Sequence, residues 1–105
     1  MKGFGDIRKL MREAQKLQQE IAKRREELSQ AEVEATAGGG AVVAVVNGHG
    51  ELKALRISRE VVDPGDVEML EDLVVSAIQE AQRKAKELLQ RTMGELTGGL
   101  PGLPL

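Results

Sequence analysis

The stretch "AEVEATAGGGAVVAVVNGHGELKALRIS", residues 31–58, decides the fold, because it reads either as a phosphate-cradling loop or as strands joined by turns. From 31 to 37 it alternates, with Val33, Ala35 and Ala37 on one face and Glu32, Glu34 and Thr36 on the other, which is the period of a half-buried strand. The run 41–47 is apolar on both faces and suits a central strand covered on two sides. Segment 51–58 mixes its faces. Gly38-Gly39-Gly40 and Asn47-Gly48-His49-Gly50 punctuate the three strands. Asn-Gly between apolar runs predicts a type I′ hairpin turn with positive φ at both central residues. The expectation is a three-stranded antiparallel meander, in which His49 is a turn residue tolerating positive φ.

The phosphate-loop alternative fails on spacing. A Walker loop needs Lys and Ser or Thr directly after its last glycine, and no such sequence is present. Gly48-His49-Gly50 begins like a dinucleotide fingerprint, but Lys53 stands where the third glycine belongs and no helix follows. His49 is the only histidine, there is no cysteine, and few hydroxyls stand near it in sequence, so no catalytic constellation, cofactor site or metal set is expected. Glu71 and Asp72 are neighbours in sequence and point about 100° apart on a helix, as solvent-facing charges rather than an acid/base couple.

Outside the strands the periodicity is helical. From 6 to 29, Ile7, Ala14, Ile21 and Leu28 recur every seven residues at heptad position a, with Leu10 and Leu17 at d and the seam broken by Arg24. A helix of that length exceeds what a small core covers, so it is expected to project and to pair with something. A second helix is predicted over 64–93, capped by Asp63, with Pro64 in its first position, Asp66 as a capping-box acid and Gly65 a mildly unfavourable insertion. Its apolar stripe runs from Val67 to Leu89. The expected organisation is one α+β domain over 1–97, of order α-β-β-β-α, followed by a flexible Gly/Pro tail over 98–105.

The core is thin: 41% of residues are hydrophobic, but Phe4 is the only aromatic. Part of the apolar surface is therefore expected to be buried against a partner chain. No apolar run approaches the roughly 18 residues of a membrane span, and the N-terminus lacks a signal-type apolar segment. A cytoplasmic protein without a membrane or small-molecule partner is expected.

Charge is divided along the chain. The formal net charge is −2, yet residues 1–25 hold eight cations against three acids, leaving +5 there and −7 elsewhere. Lys9, Lys16 and Lys23 each precede Glu13, Glu20 or Glu27 by four residues, an expected ladder of weak pairs. Arg8, Arg12 and Arg25 have no acid three or four residues away, nor does Lys86, whereas Arg83, Lys84 and Arg91 have Glu80, Glu87 or Glu95 in reach. Uncompensated cations call for an external anion, and the scarcity of aromatics favours duplex backbone over stacked single strands. The candidate phosphate contacts are Arg8, Lys9, Arg12, Lys16, Lys23, Arg24 and Arg25 on the first helix and Arg83, Lys84, Lys86 and Arg91 on the second. The rival reading is a coiled-coil-type protein-interaction scaffold, supported by the a/d seam.

Taken together, "LMREAQKLQQEI" (10–21), "EVEATAGGG" (32–40), "VVNGHGEL" (45–52), "DPGDVEMLEDLVVSAIQEAQRKA" (63–85) and "MGELTGGLPGLP" (93–104) resemble the YbaB/EbfC family of bacterial nucleoid-associated proteins. The resemblance implies a sheet-mediated homodimer with paired helices projecting like tweezers. It also implies duplex DNA binding without catalysis, and a nucleoid role in DNA organisation and gene regulation. Two departures stand out against that family: Ala44 and His49 occupy positions where a basic residue is common, removing positive charge from the sheet.

Overall fold

The structure is a computed structural model and describes residues 2–96; the predicted tail over 98–105 lies outside the described residues. The chain runs α1 (Lys2–Gln30), β1 (Val33–Ala37), β2 (Val42–Val46), β3 (Leu52–Ile57), a single 3-10 turn (Arg59–Val61) and α2 (Val67–Leu96). The strands form an antiparallel sheet in the order β1-β2-β3, which puts the run that is apolar on both faces at the centre.

One sheet face carries the core. Ala35, Val42, Ala44 and Val46 are buried against Ala77, Ala81 and Ala85 of α2, all within 2% of complete burial. Alanine at three successive turns lets the helix backbone lie close to the sheet, so volume added there has nowhere to go. Ala81→Leu is expected to cost about 1–3 kcal/mol in urea unfolding. Ala44 is fully buried under α2, so its lack of charge removes nothing from the exposed surface, contrary to the sequence reading.

The mixed face of 51–58 has a structural cause. Val46 pairs with Leu52 but Val45 with Ala54, so Lys53 is an extra residue that shifts the alternation. Leu52, Leu55 and Ile57 consequently all stand opposite the core residues Val46, Ala44 and Val42 and share their face. α2 lies over β1 and β2, however, and leaves β3 bare. Lys84 Nζ reaches the Glu34 carbonyl on β1, and Gln82 Nε2 reaches the Gly50 carbonyl beside β3. The flank of α2 on the Gln82 side, with the exposed Val67 and Val75, therefore faces β3. The opposite sheet face mixes Glu34, Thr36 and Arg56 with Val43, Val45 and Ala54, and an Arg56–Glu34 ion pair of 2.8 Å crosses β2 there beside buried Val45.

The β2–β3 turn differs from its sequence reading. Neither Asn47, Gly48 nor His49 has positive φ; that conformation falls on Gly50 (φ 84°). The Gly50 amide donates to the Asn47 carbonyl at 3.0 Å, so the connection is a turn on Gly48-His49 followed by a left-handed glycine, not type I′. The mirror-image conformation occurs instead in the triple-glycine turn, where Gly38, Gly39 and Gly40 all have positive φ. The second helix starts at Val67 rather than 64. Asp63 closes the preceding Pro-Gly turn by accepting from the Gly65 amide at 2.8 Å, while Asp66 Oδ1 accepts from the Met69 amide at 3.2 Å and is the helix cap. Two acids three residues apart compete for one cap, and the Asp63 side chain is satisfied locally first.

The β2–β3 turn also anchors α1. Leu28, Ser29 and Arg25 offer carbonyls at the helix end, and the turn answers each: Gly48 N donates to Leu28 O at 2.7 Å, Asn47 Nδ2 to Ser29 O at 3.4 Å, and His49 Nε2 to Arg25 O at 3.0 Å. Asn47, 1% exposed, is the hub; its Oδ1 accepts from the His49 and Glu51 amides and its Nδ2 also donates to the Glu51 carboxylate. That bond, and then the charge of Lys53, holds the Glu51 carboxyl below its usual range. From this base α1 extends about 43 Å, at ~1.5 Å for each of its 29 residues, which accounts for a molecule measuring 79 × 24 × 16 Å.

Candidate nucleic-acid interface

At about 100° per residue, Arg8, Lys9, Arg12, Lys16 and Lys23 fall within one sector of about 100° on α1. They form a stripe about 22 Å long on the projecting rod. The apolar seam of Ile7, Leu10, Ala14, Leu17 and Ile21 lies on the opposite side, and Ile7, Leu10, Met11 and Leu17 are exposed along it. All five stripe cations are exposed. Among the described residues none of them has a carboxylate within ion-pair distance.

The expected Lys–Glu ladder is thus not formed. Pairs in the Lys-before-Glu order are weak, and ordering two long exposed side chains costs as much as such a pair returns. Lys9, Lys16 and Lys23 are as available as the arginines. Arg24 is the exception on α1: it pairs with Glu27 at 3.0 Å. Arg25 has no acid partner among the described residues, as its sequence neighbours predict, but it sits on the seam side of α1, away from the stripe.

On α2 the four candidate cations do not share a face. Arg83 is clamped between Glu80 and Glu87, which raises its pKa and lowers that of Glu80. Lys84 ignores the acids along its helix and donates to the Glu34 carbonyl at 3.1 Å. Among the described residues Arg91 has no ion-pair partner although Glu87 and Glu95 are near in sequence, and Lys86 has none either. Lys86 turns toward the β2–β3 connection, where it lines a notch of about 260 Å³ with Gly48, His49, Gly50, Gln82 and Leu89. Sequence reading missed the Asn47 hub, because "NGHG" carries a turn signal that hides a buried amide. It also missed the role of His49 at the end of α1. His49 lies against a backbone carbonyl, with no nucleophile partner among its hydrogen bonds.

Comparison with known proteins decides what such a rod belongs to. The sequence model described as the YbaB/EbfC DNA-binding family matches residues 2–100. The chain belongs to this family. It is similar to a nucleoid-associated protein of Clostridium perfringens (55% identical over 103 residues, 96% of this chain and 92% of that one). A nucleoid-associated protein of Acetivibrio thermocellus is 48% identical over 103 residues, covering 97% of this chain and 91% of its own. A crystal structure of an uncharacterised Helicobacter pylori protein shares the fold, with a TM-score of 0.75 at 22% identity over 84% of this chain and 92% of that chain. Membership in YbaB/EbfC makes this a DNA-binding protein rather than an enzyme. No helix among the described residues is long and apolar enough to cross a membrane.

Proposed function

We propose that this YbaB/EbfC protein binds duplex DNA as a homodimer, seating backbone phosphates along the cationic stripe of α1, and that it acts at the bacterial nucleoid in DNA organisation and gene regulation. The observation that carries the reading is the stripe itself: five exposed cations on one side of a projecting rod, none paired with a carboxylate among the described residues. Their local field is set against −7 over the rest of the molecule, which brings the whole chain to a formal −2. Contacts to phosphate position a protein without reading bases, so little sequence preference is expected. Arg91 and Lys86 are unpaired among the described residues but lie on different sides of α2, apart from the stripe; Arg24, Arg83 and Lys84 have internal partners and contribute less.

The bare side of the sheet supports the homodimer. Leu52 (47% exposed), Leu55 (36%) and Ile57 (39%) form an apolar face beside exposed Val62, Val67 and Val75, next to an edge strand with unpaired backbone groups. A second copy covers both at once and carries a second stripe. Leu55→Glu is expected to yield a monomer in size-exclusion mass measurement with α1 still helical, and to weaken duplex binding. A wild-type monomer that binds duplex with a single stripe contradicts the dimer. Absence of any duplex shift at low ionic strength contradicts DNA binding. Exposure of Ile7, Leu10, Met11 and Leu17 on the other side of α1 favours the scaffold reading; recovery of one stoichiometric protein partner after nuclease treatment is the result that would establish it.

A further inference from the structure

The notch between the β2–β3 turn and α2 contains chemistry that the α1 stripe does not use. About 260 Å³ of open space is lined by Lys86, Gln82 and the apolar Leu89 on α2 and by Gly48, His49 and Gly50 on the turn, where Gln82 Nε2 donates to the Gly50 carbonyl at 3.1 Å. The notch is open to solvent and wide enough to admit a hydrated tetrahedral anion. Lys86 brings a positive charge with no ion-pair partner among the described residues.

His49 completes the seat through its tautomer. The Arg25 carbonyl only accepts, so the contact at 3.0 Å puts the ring hydrogen on Nε2 and leaves Nδ1 a bare acceptor. Protonation converts Nδ1 into a second donor without breaking the first bond. The ring stands against the C-terminal part of α1, at the Arg25 carbonyl. The charged groups around it are Glu51 from the turn, close enough for the two to interact, Lys86 from α2 and Arg25 itself from α1. Glu51 is anionic and Lys86 and Arg25 are cationic, so an anion seated between Lys86 and the ring would separate the ring from a cationic neighbour.

We infer that this notch seats one phosphate of the DNA backbone between Lys86 and the imidazolium of His49, so that binding takes up one proton from solvent. The inference rests on the DNA-binding reading above and adds a site at the base of the rod, where α1, the turn and α2 meet. His49 is the only histidine, so its ring signals in an NMR spectrum are unambiguous, and it is the only side chain whose ordinary titration range lies between pH 5 and 8.

The test uses the full chain. Duplex affinity is measured at pH 6 and pH 8 and fixed salt for wild type, His49→Gln and Lys86→Gln, with His49 ring signals followed during additions of duplex and, separately, of inorganic phosphate. The side-chain amide introduced by His49→Gln keeps an N–H for the Arg25 carbonyl. Wild type is expected to bind roughly threefold or more tightly at pH 6, as linkage to one proton requires. The pH ratio should fall toward one in His49→Gln, Lys86→Gln should weaken binding at both pH values, and duplex should move the ring signals. An unchanged pH ratio in His49→Gln together with ring signals that ignore duplex overturns the seat. If wild type still binds duplex in that case, the α1 stripe stands without the notch. Ring signals that respond to inorganic phosphate but not to duplex overturn the assignment to DNA.

Discussion

Gly48→Ala is expected to detach α1 from the sheet and to lower stability by about 2–4 kcal/mol, combining overpacking with loss of a buried hydrogen bond. A Cβ at this position would stand 2.7 Å from Leu28 Cδ2, 2.8 Å from Leu28 O and 2.9 Å from Leu28 Cβ. The nearest flexible atom can swing away, but the carbonyl cannot, because it is the acceptor of the 2.7 Å bond from Gly48 N. Leu28→Ala therefore does not rescue the variant. The constraint is one of close approach, since Gly48 has no positive φ. Gly39→Ala is the contrasting case: φ is 66° but no atom lies within 4 Å, so only the left-handed backbone penalty of about 1–2 kcal/mol applies. Urea unfolding ranks the two variants. Hydrogen exchange of the α1 amides should rise in Gly48→Ala while the central strand keeps its protection, and uniform exchange across the chain would show that α1 is not held by this turn.

Neutralising the tip of the stripe is the second large effect. Arg8→Gln, Arg12→Gln and Lys16→Gln together should weaken duplex binding at low salt by at least roughly tenfold while leaving dimer mass and helicity unchanged. Glutamine keeps length and helix propensity, so the change is one of charge. The comparison variant is Arg24→Gln with Arg83→Gln, two exposed cations that are paired with Glu27 and with Glu80 and Glu87. Total charge changes by a similar amount in each, yet the second variant also frees three carboxylates. If bulk charge governed binding, the losses in log affinity would stand at about three to two, as the charges removed do. A loss in the first well beyond that ratio assigns binding to the stripe.

The architecture was legible because each element announces itself by period: alternation in 31–37, an apolar run in 41–47, and heptad spacing from Ile7 to Leu28. Turn chemistry was less legible. Asn47-Gly48 has the composition of a mirror-image turn, but Asn47 is drawn into burial by the end of a helix eighteen residues earlier, a tertiary demand that no local rule contains. The Asp63 and Asp66 assignments were exchanged for a similar reason, since either acid satisfies a cap by spacing and only the Pro-Gly turn decides between them. Unpaired cations were half legible. Absence of a nearby acid correctly left Arg8, Arg12, Arg25 and Lys86 free, whereas presence of one overstated the pairing of Lys9, Lys16, Lys23, Lys84 and Arg91. Proximity along a helix permits an exposed ion pair but hardly stabilises it. Helical phase added what neither rule held: Arg25 is free but on the wrong side of the rod.

Duplex binding titrated against salt, on wild type and the two charge variants, tests the central claim directly. The stripe predicts a linear fall of log affinity with log salt at about 0.9 per phosphate neutralised, a shallower slope when Arg8, Arg12 and Lys16 are removed, and a slope near wild type when Arg24 and Arg83 are removed. One slope shared by all three proteins, or wild-type binding that does not respond to salt, would contradict it.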